Sequence, residues 1–191
     1  AGALGLSVNI SPHQVTDKSA VEHLHRIVER TGVDSRSVKL ELTETAFIQN
    51  PDQAAQILRG LKDRGFTLAL DDFGTGYSSL AYMCRFDFDY LKIDRQFIMP
   101  LTVDDRRGIA MVDAIVSMGR ALNLRTIAEG IEQPEHVALL RYLGCRYGQG
   151  YWFARPRGAD KAKESITRVW DLPEPMALEA DQPRISPTAT F

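Results

Sequence analysis

Long apolar runs are missing from this sequence, and with them any stretch able to cross a bilayer as a single helix. The opening residues also lack the charged-then-apolar pattern of a secretory leader. Neither sign of charge dominates. The formal net charge is −2, so nothing global draws the chain to a nucleic-acid polymer or an anionic membrane. Cysteine is scarce: Cys84 and Cys145 stand far apart, with no CxxC pair and no adjacent histidine, which argues against a disulfide framework and against zinc. They read as reduced thiols, the state expected in the cytoplasm or in the cytoplasmic part of a larger membrane-anchored protein. Histidine is equally sparse. His13, His23, His25 and His136 fall on helical stretches, away from strand tips, and read as surface or packing residues.

What is present centres on the stretch from Leu68 to Leu80. The apolar run Leu68-Ala69-Leu70 ends in two adjacent carboxylates, Asp71 and Asp72, followed by Phe73-Gly74-Thr75-Gly76. The run reads as a buried strand and the glycines as a sharp turn. Neighbouring carboxylates at a strand tip repel unless a positive charge lies between them, and hard divalent cations prefer such oxygens. The plainer alternative is an Asp-Asp pair that caps a turn. Along an extended chain the two side chains face opposite ways, so both can serve one site only if the strand ends between them.

Taken in order, the chain alternates strand and helix. Leu6 to Ile10 reads as a strand. Ser11 and Pro12 then open a helix that runs through Val15, Val21 and Leu24 to Gly32. Val38 to Thr43 is a second strand, and Asn50-Pro51 starts a helix closed by Gly65. Thr67 to Leu70 is the third strand and Asp89 to Ile93 the fourth. A long helix is expected from Asp104 to Leu122, a strand from Leu124 to Ala128, and a helix from Pro134 to Leu143. Gln149 to Phe153 reads as a sixth strand, and Asp160 to Trp170 as a closing helix. From Asp171 onward, Pro173, Pro175, Pro183 and Pro187 interrupt an acidic stretch with little apolar period, expected to be a disordered tail. A domain over residues 1–170 and a tail over 171–191 is the organisation implied. With 44% of residues apolar, one sizeable core is within reach.

Repeated βα units demand a parallel α/β sheet, either doubly wound or curled into a barrel. Asn9, Glu41, Asp71, Lys92, Glu129 and Gln149 each lie on or beside a different strand. One polar group per strand converging on a common site is the habit of the C-terminal rim of a (β/α)₈ barrel, whereas a doubly wound sheet gathers its ligand contacts at one switch point. The barrel is favoured.

Six segments, in order, resemble the EAL family of cyclic di-GMP phosphodiesterases: Ser7-Val8-Asn9-Ile10-Ser11, Glu41-Leu42-Thr43-Glu44, Asp71 through Leu80, Leu91-Lys92-Ile93-Asp94, Ala128-Glu129-Gly130-Ile131-Glu132, and Gly144-Cys145 with Gln149-Gly150-Tyr151 and Pro156. The resemblance implies a (β/α)₈ barrel with one antiparallel strand. It also implies hydrolysis of cyclic di-GMP to the linear dinucleotide with Mg²⁺ or Mn²⁺, two ions being expected. Carried over position by position, Asn9, Glu41, Asp71, Asp72 and Glu129 match metal ligands, Asp72 serving the second ion. Lys92 matches the lysine beside the attacking water, and Glu129 is counted with it among the catalytic groups. Glu44 matches the glutamate that anchors the loop after Asp72. Asp94 and Gln149 are assigned to substrate binding, and Glu132 is the expected partner of Lys92. The resemblance also implies a homodimer paired through barrel-flanking helices, and sensory or cyclase domains upstream.

The sequence departs from the family at its start. The signature Glu-Ala-Leu segment is absent, and a barrel of this class needs about 250 residues, so the chain reads as about six of eight βα units, truncated at the N-terminus. That leaves two other classes of function open beside the enzyme: a module that binds cyclic di-GMP without cleaving it, and a non-catalytic fragment that survives by pairing its open edges.

Overall fold

The computed structural model describes residues 4–17, 19–48, 50–75, 80–166 and 169–176. Among the described residues six strands form one sheet in sequence order: β1 (Leu6–Asn9), β2 (Val38–Thr43), β3 (Thr67–Phe73), β4 (Tyr90–Ile93), β5 (Arg125–Ala128) and β6 (Tyr147–Gly148). Every pairing among them is parallel. The helices return the chain between strands: α1 (Pro12–Thr16), α2 (Ala20–Thr31), α3 (Thr45–Ile48), α4 (Pro51–Asp63), α5 (Leu80–Arg85), α6 (Arg95–Ile98), α7 (Arg106–Ala121), α8 (Pro134–Tyr142) and α9 (Ala159–Ile166). This is the expected α/β architecture, an incomplete (β/α)₈ barrel in which β1 and β6 are edges among the described residues.

The two faces of the sheet have opposite chemistry, and period-two alternation explains it. Leu40, Leu42, Leu68, Leu70, Leu91 and Ile93 are buried against the helices. The alternate residues Asn9, Lys39, Glu41, Asp71, Tyr90, Lys92 and Arg125 line the concave face. Register ties them into rows: Asn9 pairs with Glu41, and Tyr90 with Arg125. The helical side contributes α4, whose Ala54, Ile57, Leu58 and Leu61 are buried, and an aromatic knot. In that knot the fully buried Phe47 meets Phe86 at 4.9 Å and Phe88 at 5.6 Å.

Local signals act largely as the residues suggest. Ser11 caps α1 in a reciprocal box with Gln14, with Pro12 at the first helical position. Asn50 caps α4 ahead of Pro51. The single helix expected from Pro12 to Gly32 is instead two. Asp17 takes an extended backbone and accepts from both the Ser19 N–H (2.8 Å) and hydroxyl (2.9 Å), a local turn that competes with helix continuation. Gly32 does end α2, in the left-handed conformation.

One further expectation is corrected. Gln149 to Phe153 is not a strand; β6 is the shorter Tyr147–Gly148, and the chain then winds around the loop after β5. Ile131 N–H donates to the Gln149 carbonyl (3.1 Å) and Trp152 N–H to the Ile131 carbonyl (3.0 Å). A Cβ on Gly150 would lie 2.1 Å from the Ile131 carbonyl oxygen, so only glycine permits this approach. The first residues of the stretch expected to be a tail make contacts. Trp170 packs on Trp152 (5.6 Å) and Phe153 (5.4 Å), Arg141 donates to the Pro173 carbonyl, and Met176 N–H bonds to the Ala138 carbonyl at 3.2 Å. These contacts strap residues 170–176 across α8; residues 177–191 lie outside the described set.

Because Phe47 joins α3 to Phe86 and Phe88 in the segment between α5 and β4, its truncation leaves a cavity that neighbouring backbone cannot fill. Phe47→Ala is expected to destabilise the fold by about 3–5 kcal/mol, measured by urea denaturation.

Candidate metal site

The polar residues of the concave face gather at the C-terminal ends of the strands, where a parallel barrel presents its loops. Glu41 from β2, Asp71 from β3, Lys92 from β4 and Glu129 just after β5 meet there. Lys92 Nζ lies 2.5 Å from Glu41 Oε2, 2.8 Å from Asp71 Oδ1 and 2.5 Å from Glu129 Oε1. Lys92 is only 3% exposed. An ammonium so deeply buried is tolerable only because three carboxylates accept its three N–H donors. Burial works against its charged form, but the hydrogen bonds it donates to Asp71, Glu129 and Glu41 outweigh it and hold Lys92 above the usual lysine value.

Asp72 reaches a second group of acids by a backbone device. β3 does not end between the two aspartates but continues to Phe73, with a register shift against β4 between Leu70 and Phe73. At the shift Asp72 adopts φ +53°, a left-handed conformation that aspartate tolerates better than most residues. The bulge, rather than a strand end, separates the carboxylates. Asp71 Oδ1 accepts the Asp72 N–H at 2.9 Å, while the Asp72 carbonyl accepts from Thr75 N–H and Oγ1. Asp72 then lies with Asp94 and Glu129, ligand oxygens within 4.8 Å of one another, as are those of Glu41, Asp71 and Glu129.

Glu129 therefore belongs to both trios. Burial raises its pKa, as do Asp71 and Glu41, while Lys92 pulls the other way. Asp72 is raised by burial, by Asp71 and by Asp94, to which it is also hydrogen-bonded. Every donor in the two trios is a carboxylate oxygen, with no histidine or cysteine among them. That set fits hard divalent ions such as Mg²⁺, Mn²⁺ or Ca²⁺ and is poorly suited to zinc.

The remaining predicted positions fall as follows. Asn9 ends β1 in register with Glu41, exposed on the open side of the sheet. Gln149 Nε2 donates to Glu129 Oε1 at 2.8 Å, so it holds a carboxylate of the site directly. Asp94, expected to meet substrate, lies beside Asp72 and Glu129; its Oδ1 also caps α6 through the Gln96 N–H at 2.8 Å. Its grouping with Asp72 and Glu129 was not foreseen from sequence, although its place two residues past Lys92, at the strand end, was the available signal. Glu132 is exposed and is not the partner of Lys92; its backbone N–H points to His136 Nδ1 at 3.5 Å. The two residues before it carry the chain off the strand, with Gly130 at φ +70°, so Glu132 leaves the concave face. Glu44 is half-buried just past β2. The loop it was expected to anchor includes residues 76–79, which lie outside the described set.

A match to the family model described as "EAL domain" spans residues 1–156, and the chain belongs to that family. It is 40% identical over 153 residues to the Pseudomonas aeruginosa protein named cyclic di-GMP phosphodiesterase NbdA, covering 80% of this chain and 19% of that one. Among solved structures it resembles the PaMucR phosphodiesterase in complex with c-di-GMP, with 37% identity and a TM-score of 0.77 over 83% of this chain and 64% of that one. It also resembles Klebsiella pneumoniae BlrP1 in its manganese and cy-diGMP complex, with 33% identity and a TM-score of 0.70, covering 80% of this chain and 39% of that one. The chain thus spans about a fifth of the curated relative it matches.

Two predictions come from this geometry. In metal-free protein, Lys92→Met strips three carboxylates of their shared cation and is expected to cost about 3–5 kcal/mol, with Mn²⁺ restoring more stability to the variant than to the wild type; denaturation with and without the ion checks this. The raised Asp72 and Glu129 favour their protonated forms in the fold. That contribution is present below the ordinary carboxylate value of about 4 and is lost as pH rises through the folded values. Metal-free protein should therefore lose thermal stability between acid and neutral pH, and Asp72→Asn should lose less, as a Tm-against-pH series would show.

Proposed function

We propose that this domain hydrolyses cyclic di-GMP to the linear dinucleotide, in bacterial second-messenger signalling, with two divalent ions, Mg²⁺ or Mn²⁺. The observation that carries the reading is the pair of carboxylate trios sharing Glu129. It is supported by relatives whose names state that activity and by a related structure that holds manganese with the dinucleotide.

In this reading Glu41, Asp71 and Glu129 hold one ion together with Asn9, and Asp72, Asp94 and Glu129 hold the other. When bound, such ions neutralise charge on the phosphoryl oxygens and make water acidic enough to attack. The chain's own groups do the rest. Lys92, pinned by three acceptors, presents a fixed positive charge beside the phosphodiester, and its ammonium can orient water or a phosphoryl oxygen. Glu129, raised by burial, is suited to take a proton at its Oε atoms. Gln149 fixes the Glu129 rotamer from the opposite side. Asp71 and Asp72 are kept at a set separation by the bulge, so neither needs to reorganise as substrate binds.

The same proposal places residues 1–170 in one barrel domain, within a longer cytoplasmic or membrane-anchored protein whose other domains supply the signal, and paired as a homodimer. The small share of NbdA that the chain covers supports the first part.

Turnover tests the reading. With Mn²⁺, the chain carried in its full-length protein should release linear dinucleotide from cyclic di-GMP, read by chromatography. Asp71→Asn should lower kcat by roughly 10²–10³-fold, the scale on which one lost electrostatic contact acts. Binding of cyclic di-GMP without any turnover in Mg²⁺ or Mn²⁺ would contradict hydrolysis and favour a binding module.

A further inference from the structure

Gln149 braces the shared glutamate from an exposed position, so packing does little to fix its side chain. Its backbone has to do so instead. The strand before it, β6, is only two residues long. Beyond β6 a run of main-chain bonds holds the chain to the loop after β5. Gln149 N–H donates to the Ala128 carbonyl (2.8 Å), Ile131 N–H to the Gln149 carbonyl (3.1 Å) and Trp152 N–H to the Ile131 carbonyl (3.0 Å). Phe153 and Ala154 N–H both close back on the Gly150 carbonyl, at 3.1 and 3.2 Å. Residues 149–154 therefore form one tight turn, with Gln149 at its start and the half-buried rings of Trp152 and Phe153 near its end.

Trp170 rests on those two rings from far along the chain. Building on the two-ion reading of the carboxylate trios, we propose that Trp170 is a positioning residue for Glu129. It presses the 149–154 turn against Ile131 and so keeps the Gln149 amide on the shared carboxylate.

The three rings fix one another in orientation as well as distance. Trp170 meets Phe153 edge to face, at 5.4 Å between centres and 85°, and Trp152 at 5.6 Å and 37°. Trp152 and Phe153 stand at 4.7 Å and 83°. A cavity of about 400 Å³, lined by Ile131, Leu140, Phe153, Trp170 and Leu172, lies beside them. With that space open, the rings have room to shift once Trp170 is removed, since close packing does not hold them there. Trp170 is itself anchored. Arg141 donates to the Pro173 carbonyl and Met176 N–H to the Ala138 carbonyl at 3.2 Å, both on α8, the helix that follows β5. The wall and the glutamate it serves therefore belong to the same βα unit. Because Glu129 is common to both trios, a small shift of Gln149 reaches both.

The test uses the full-length protein carrying this chain. In metal-free protein, amide exchange at Ile131, Gln149 and Trp152 should quicken in Trp170→Ala and stay near the wild-type rate in Trp170→Phe. Mn²⁺ followed by electron paramagnetic resonance should bind about tenfold more weakly at both sites in Trp170→Ala, with Trp170→Phe recovering most of the loss. Phe47→Ala loosens the fold through a separate aromatic cluster and should leave Mn²⁺ affinity at its wild-type value. Gln149→Ala should match the loss in Trp170→Ala, and the double variant should bind no more weakly than Gln149→Ala alone, because the two residues act along one path. Wild-type affinity in Trp170→Ala, an equal loss in Phe47→Ala, or additive losses in the double variant would each overturn the role of Trp170 and leave it as packing alone. None of these readouts needs turnover. A protein that binds two Mn²⁺ yet leaves cyclic di-GMP intact would contradict hydrolysis without touching the role of Trp170, whereas a wild type that binds no Mn²⁺ would sink both.

Discussion

Everything at the carboxylate end of the sheet depends on one buried ammonium. Lys92 is surrounded by Glu41, Asp71 and Glu129, each from a different strand, so its charge ties β2, β3, β4 and the loop after β5 to a single point. Remove the cation and three acids face one another in a desolvated space; remove an acid and the ammonium loses a partner it cannot replace. The parallel order of the sheet follows from the same need, since only adjacent parallel strands bring all their C-terminal ends to one rim.

The second trio depends on a smaller device. Had β3 run regularly through Asp71 and Asp72, the two carboxylates would have faced opposite sides of the sheet. The left-handed Asp72 turns this arrangement into two adjacent acid groups that share Glu129. A buried lysine, a bulge and a shared glutamate together define a surface suited to two hard cations, with Gln149 bracing the shared member.

Much of this was legible in the residues. The alternation of strand and helix, the caps at Ser11 and Asn50, and the gathering of Glu41, Asp71, Lys92 and Glu129 could be read from pattern and polarity alone. What escaped were features decided by tertiary contact. The resemblance implies Glu132 as the partner of Lys92; the turn at Gly130 sends Glu132 outward, and carboxylates distant in sequence take its place. Gln149 to Phe153 has strand-like composition, yet its backbone bonds to Ile131 and turns. The segment after Asp171 is rich in proline, but Trp170 finds two aromatic rings and draws the next residues onto α8. Asp94 was visible at a strand end, and only the fold shows that it faces Asp72.

The sharing of Glu129 is the central claim, and counting bound ions tests it most directly. Mn²⁺ titrated into metal-free protein and followed by electron paramagnetic resonance should reveal two sites per chain. Glu129→Gln should weaken both, whereas Asp72→Ala should weaken one. A single site in the wild type, or two sites indifferent to Glu129, would contradict the account.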